Sequence, residues 1–138
     1  MSKPYGFSLQ LPMGMVDAID AVTVALKQEG FGVLTQIDVQ ATLRAKLGME
    51  TKPYVILGAC NPNLAHQSLQ VEPELGLLLP CNVIVYDNGS STTISIVDPK
   101  QMLGMVENPA LEPIAGEAQR RLQKVLAQLD AQATPVTT

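Results

Sequence analysis

Apolar residues recur at three- and four-residue steps in two long segments of the chain, and this spacing predicts two amphipathic helices. The first extends from Met15 to Glu29, and Gly30 stands where it is expected to end. The second carries apolar residues along one face from Leu111 to Leu129. Because each helix must cover its apolar face, we expect both to pack against one sheet.

Five short runs of β-branched, aromatic or other apolar residues predict β-strands. The dipeptide Asn88-Gly89 between the last two runs is a strong hairpin signal, so at least one pair of strands is expected to be antiparallel. For this reason we favour a mainly antiparallel sheet over a doubly wound parallel one. The predicted strands are Tyr5–Leu11, Phe31–Ile37, Tyr54–Ala59, Val83–Asp87 and Thr92–Val97.

Two shorter helices are predicted from the residues at their ends. Asp38 is a suitable N-cap for a helix over Val39–Lys46, which Gly48 would end. Asn61 is a suitable N-cap for a helix over Pro62–Gln70, because proline is favoured at the first helical position.

The predicted elements follow the order β-α-β-(α)-β-α-β-β-α, which indicates an α+β fold. We expect a curved, mainly antiparallel sheet with the two long helices packed on one face. Asp98-Pro99 ends the fifth strand, and residues 102–109 are predicted to form a connector of undefined structure. Residues 1–130 are predicted to be one domain, and residues 131–138 a flexible C-terminal tail.

Composition narrows the class of protein. Hydrophobic residues make up 46% of the 138 residues and charged residues 16%, so we expect a homodimer that hides part of an apolar surface. The net charge is −4, and no basic cluster supplies the positive surface that nucleic acid requires. The chain has no tryptophan, three tyrosines and two phenylalanines, so no aromatic stacking platform is expected.

The cellular location of the protein is predicted from the targeting and membrane signals that the sequence lacks. No segment reaches the ~20 apolar residues of a membrane helix, and the first residues lack the pattern of a signal peptide. We therefore expect a cytoplasmic protein without a membrane partner. Thiols remain reduced in that compartment, so cysteines there are more often buried, ligating or reactive than joined in a disulfide.

Two phrases, residues 58–62 and 78–82, contain the two cysteines of the chain, Cys60 and Cys81. Each cysteine is followed by an asparagine, Asn61 or Asn82. Cys60 precedes a predicted helix start, where backbone N–H groups and the helix dipole would lower the pKa of its thiol. If the two strands are neighbours, the thiols come close together, and the asparagine amides could orient a ligand.

His66 is the one histidine of the chain, and with Cys60 and Cys81 it could complete a three-ligand set for zinc or copper. The closely spaced cysteine or histidine pairs of such sites are absent, so we favour an exposed helix histidine and expect no metal site. No cofactor is indicated, and no phosphate-binding, dinucleotide-binding or hydrolase motif is present.

The two cysteine phrases and the residues between them also carry a family resemblance. The stretch from Gly58 through Gly76 to Tyr86 resembles the signature of domain-of-unknown-function family 302, and residues 30–48 and Asp98-Pro99 followed by Met102 fit it as well. The similarity covers roughly residues 15 to 130, and both cysteine phrases keep the pattern. The resemblance implies a small α+β domain of TATA-binding-protein-like topology, often dimeric, and it implies no established activity.

Three hypotheses of function follow. The first is a small cytosolic domain that binds a small ligand or a soft metal ion near Cys60, Asn61, Cys81 and Asn82. The second is a thiol-dependent enzyme or redox protein in which Cys60 is the candidate catalytic residue. The third is a homo-oligomeric scaffold with two inert, buried thiols.

Overall fold

The structure, a computed structural model, describes residues 3–133. These residues form five β-strands and five α-helices, together with short 3-10 helices at Pro73–Leu77 and Pro109–Leu111. The strands are β1 Gly6–Leu11, β2 Gly32–Asp38, β3 Tyr54–Cys60, β4 Cys81–Asp87 and β5 Thr92–Val97. The helices are α1 Met15–Gln28, α2 Val39–Leu47, α3 Pro62–Val71, α4 Pro99–Gly104 and α5 Glu112–Ala133.

The five strands form one curved sheet in the order β1-β5-β4-β3-β2, with every neighbouring pair antiparallel. Strands β4 and β5 are joined at the predicted hairpin, where Gly89 has a φ of 96°. Residues other than glycine rarely adopt this conformation. The α+β fold with a mainly antiparallel sheet is therefore confirmed.

Helices α1 and α5 pack against each other and against the same face of the sheet. Their apolar stripes meet the strand residues that point toward them, and this contact forms the main core, because burial of large aliphatic side chains is the dominant favourable term in folding. The fully buried members include Val22, Leu26, Leu57, Val83, Ile94, Leu122, Val125 and Leu129.

Glycine ends α1 as predicted. The Gly30 N–H donates to the Lys27 carbonyl at 3.0 Å, and the Phe31 N–H donates to the Leu26 carbonyl at 2.9 Å. Gly30 has a φ of 83°, which closes the last helical turn at no steric cost. Phe31 is thereby directed into the core, where it is 2% exposed.

The prediction that residues 102–109 form a connector of undefined structure is wrong in its first part. Pro99–Gly104 forms α4, whose N-cap is Asp98. The Asp98 carboxylate accepts a hydrogen bond from the Lys100 N–H at 2.9 Å and another from the Gln119 side chain at 3.1 Å. This buried carboxylate both starts α4 and ties it to α5.

The C-terminal helix is longer than predicted, because α5 continues to Ala133. The remainder of the predicted tail, residues 134–138, lies outside the described residues. Within residues 3–133, none of the helices combines the length and the apolar character that crossing a membrane requires.

Candidate functional site

A cavity of about 40 Å³ lies where β3 ends and β4 begins. The first cysteine phrase contributes Ala59, Cys60 and Asn61 to its wall, and the second contributes Pro80 and Cys81. Residues of α3, α4 and α5, together with Phe31 and Leu79, form the remaining wall. These are mainly apolar and include Leu64, Ala65, Ser68, Leu103, Ile114 and Ala118.

Strand pairing brings the two phrases together. Ala59 is the partner of Cys81, so Cys60 lies one residue beyond the pair. Gly58 is in turn the partner of Asn82. Cys60 and Cys81 both line the cavity, because β3 ends, and β4 starts, at the same edge of this antiparallel pair.

Asn82 does not reach this cavity. Val83 and Val85 are fully buried under the helices, and successive side chains of a strand point to opposite faces. Asn82 therefore belongs to the other face of the sheet, where it is exposed and lines a different depression. Of the four candidate ligand-binding residues, the structure gathers Cys60, Asn61 and Cys81.

Asn61 is the N-cap of α3, as its sequence position predicts. Its side-chain oxygen accepts a hydrogen bond from the Leu64 N–H at 3.1 Å, and the residue is 6% exposed. Its side-chain nitrogen lies 2.9 Å from the place that a Cβ on Gly30 would occupy. The oxygen of Asn61 therefore caps α3, while its side-chain nitrogen lies beside Gly30 at the end of α1.

Gly58 is required by the close approach of its neighbours. A Cβ at this position would overlap the Thr35 hydroxyl and would stand 2.8 Å from Cγ of Pro80. Thr35 is the β2 partner of Gly58, so the bare backbone of Gly58 lets side chains from both neighbouring segments pass over it. Pro80, which precedes Cys81, therefore lies close to the backbone of Gly58.

The thiols are desolvated, and this overturns the lowered pKa expected for Cys60. Burial raises the pKa of Cys60 above its ordinary value of 9.0. Burial, with a second contribution from Cys60, raises the pKa of Cys81 to about 11. Desolvation is the first cause for both thiols, and Asn61 accepts a bond from one of the free N–H groups at the start of α3.

His66 lies elsewhere. It is exposed on α3 and does not line the cavity. Across residues 3–133, no group of three or more histidine, cysteine, aspartate or glutamate side chains is arranged to hold a metal ion. The structure therefore does not gather His66 with Cys60 and Cys81.

Several wall residues carry no sequence signal of a site. Ser68 is 3% exposed, and its hydroxyl donates to the Leu64 carbonyl at 2.7 Å. Leu103 reaches the cavity from α4, and the Asp98-Pro99 pair that starts this helix could have revealed it. Ser68 belongs to no sequence motif. An isolated serine in a helix is common, so the sequence does not single it out.

Comparison with known proteins places the chain in a family. A family model described as "Domain of unknown function DUF302" matches residues 7–129. The chain is similar to the crystal structure of an uncharacterized conserved protein DUF302 from Bacillus stearothermophilus, with 35% sequence identity and a TM-score of 0.84 over 92% of this chain and 99% of that chain. None of the curated proteins matches it. The match over most of the chain and the shared fold together show that this protein belongs to the DUF302 family.

Proposed function

We propose that the protein binds a small, uncharged ligand in the cavity between the two cysteine phrases. The observation that supports this proposal is the cavity itself, whose wall contains Cys60 and Asn61 from one phrase and Cys81 from the other. Among the described residues that line it, none carries a charge. An ionic ligand would lose its water there without gaining a partner.

The size of the cavity limits the ligand. Sites for ordinary metabolites enclose about 300–1,000 Å³, whereas this cavity measures about 40 Å³. It is nevertheless larger than the roughly 10–15 Å³ that a single water needs. A ligand of a few heavy atoms, with an apolar surface and a polar group that meets the thiols or Ser68, fits these dimensions best.

A soft metal ion is the second candidate, and one observation favours it. Cys60 and Cys81 both line the cavity, and Cys60 directly follows Ala59, the strand partner of Cys81. Paired thiolates select soft ions such as Cu(I), and binding would release a proton from each thiol. The raised pKa values of the two thiols argue against the hypothesis of a thiol-dependent enzyme, because they leave little thiolate at neutral pH for catalysis by Cys60.

Xenon tests the main proposal, because it is small, uncharged and apolar. Amide shifts of Cys60, Ala65 and Cys81 are expected to change saturably with xenon pressure, whereas benzene, which is too large, should leave them unchanged. Ala65→Leu fills the cavity and should abolish the response. Ala45→Leu on the exposed face of α2 is the matched control, and circular dichroism verifies that both variants fold.

Cu(I) supplied in a competing chelator separates the two candidates. Retention of copper that is lost in both Cys60→Ser and Cys81→Ser supports the metal site. An absence of both xenon shifts and copper retention would leave the phrases as packing elements of a scaffold.

We further propose that the protein is a cytoplasmic homodimer. Both cysteines are free thiols, as a reducing compartment requires. Apolar side chains are exposed along β2 and at the end of α2, with Leu34 67%, Ile37 49% and Leu47 68% exposed. Sedimentation equilibrium of the protein and of Leu34→Asp tests the assembly: a dimer that Leu34→Asp dissociates supports it, and a wild-type monomer at about 100 μM, well above a typical 1 μM Kd, contradicts it.

A further inference from the structure

The sheet face turned away from α1 and α5 contains a second depression, of about 480 Å³. Strand alternation places Asn82, Ile84 and Tyr86 of β4 on this face, because Val83 and Val85 between them are buried on the other. Ile84 pairs with Ser95 of β5. The depression therefore includes Asn82, the one candidate among the four predicted ligand-binding residues that the thiol cavity leaves out.

All three tyrosines of the chain line this depression, although sequence composition predicts no stacking platform. Tyr54 and Tyr86 are cross-strand partners, and their rings stack with centroids 5.5 Å apart and planes within 8°. Burial, Tyr86 and Tyr5 together raise the pKa of Tyr54, so the Tyr54 phenol remains neutral and keeps its O–H donor. The three tyrosine rings give the depression an aromatic wall.

The charge of the lining is opposite to that of the chain. Of the described residues around the depression, Lys3 carries the only charge, and no carboxylate is among them. The whole chain has a net charge of −4. An anionic group next to Lys3 would gain a partner without facing a carboxylate at the wall.

We propose that this depression is a second ligand site, which takes a planar aromatic molecule bearing one anionic group. The ring of the ligand stacks against the Tyr54–Tyr86 wall, and its anionic group lies toward Lys3. Asn82 and Ser95 supply polar groups that set its orientation. The volume lies within the range of sites for small organic ligands, in contrast to the thiol cavity on the other face.

A second copy of the chain fits this face less well. In a twofold interface the same patch meets itself. Lys3 of each copy would then face the Lys3 of the other copy across a lining that contains no carboxylate. A small anion avoids this repulsion. An interface between copies is therefore an outcome that the test must be able to detect.

Naphthalene-2-sulfonate is a suitable probe, with 2-naphthol and 2-naphthylmethylammonium as the neutral and cationic counterparts. Calorimetric titration is expected to show saturable binding in the order anion, neutral molecule, cation. Tyr86→Leu should weaken binding of the sulfonate about tenfold, whereas Tyr86→Phe retains it, because stacking and not the hydroxyl carries the contact. Lys3→Gln should weaken the sulfonate about threefold and leave 2-naphthol unchanged.

Lys46→Gln is the matched control for Lys3→Gln, since Lys46 is exposed on α2 and does not line the depression. Amide shifts must map the probe to Asn82 and Tyr86 and leave the Cys60 signals unchanged, which separates this site from the thiol cavity. The proposal is overturned if the cation binds as well as the anion, if the shifts map elsewhere, or if no probe binds. It is equally overturned if sedimentation shows a dimer that Tyr86→Leu dissociates and that excludes the probe.

Discussion

Substitution of Gly58 by alanine tests the close packing that positions the second cysteine phrase. The new Cβ would overlap the Thr35 hydroxyl and would lie 2.8 Å from Cγ of Pro80. Thr35 is exposed and can rotate its side chain, but the Pro80 ring is held by the backbone. The clash therefore requires a movement of β4 relative to β3.

The magnitude follows from two opposing terms. Overpacking of this kind costs about 1–3 kcal/mol. Replacement of a strand glycine by alanine recovers about 0.5–1 kcal/mol, because the unfolded chain loses conformational freedom. We expect Gly58→Ala to lower the free energy of unfolding by about 1–2 kcal/mol, which corresponds to a fall of roughly 1 M in the urea midpoint.

Urea unfolding followed by circular dichroism measures this change. Gly32→Ala on the neighbouring strand β2 is the matched control, because a Cβ there meets nothing within 4 Å; it should be neutral or slightly stabilising. Adding Thr35→Ala to Gly58→Ala should recover the part of the loss that the hydroxyl contributes. If Gly58→Ala is as stable as Gly32→Ala, the reasoning about the close approach of Pro80 is refuted.

Three further predictions concern the thiols, a helix cap and an acid-sensitive ion pair. Burial raises the pKa of Cys81 to about 11 and that of Cys60 above 9.0, so alkylation of either thiol at pH 7 should be slow, and rapid labelling of native protein would contradict this. Asn61→Ala removes the α3 cap and should cost about 1 kcal/mol in urea unfolding, whereas Asn61→Asp should retain most of the stability; an equal loss in both variants would argue against the cap. Hydrogen bonds from Arg120 and Arg121 lower the pKa of Glu117 from 4.5 to about 2, so its contribution to stability is present above pH 4.5 and is lost as the pH falls toward 2. Glu117→Gln should therefore flatten acid unfolding over that interval, and an unchanged pH profile would count against the pairing.

Helix caps show what local sequence can predict and which helix the sequence-based prediction omits. Asn61-Pro62 correctly predicted the start of α3, because the capping bond of Asn61 reaches only to Leu64. Asp98-Pro99 ends β5 as predicted and also starts α4, because the Asp98 carboxylate accepts a hydrogen bond from the Lys100 N–H, and this helix is the one that the sequence-based prediction omits. The information was present in both places, since capping depends on residues three or fewer positions apart.

The candidate site was predictable only in part. The phrases around Cys60 and Cys81 pointed to a region that does contain a cavity, because neighbouring antiparallel strands bring their ends together. The face of the sheet on which the Asn82 side chain lies depended on which face of β4 the helices cover. The raised pKa of Cys60 depended on burial by residues from distant segments, which no local pattern reports.

The sequence by itself determined most of the helix and strand boundaries, with α4 and the end of α5 as exceptions, because periodicity, capping and turn residues act over a few positions. It also determined the family of the protein through the long pattern that joins the two cysteine phrases. Only the tertiary structure decided that Tyr5, Tyr54 and Tyr86 line one depression and that burial raises the pKa of both thiols. These outcomes arise from the pairing of strands far apart in the chain, and packing rather than local preference selects that pairing.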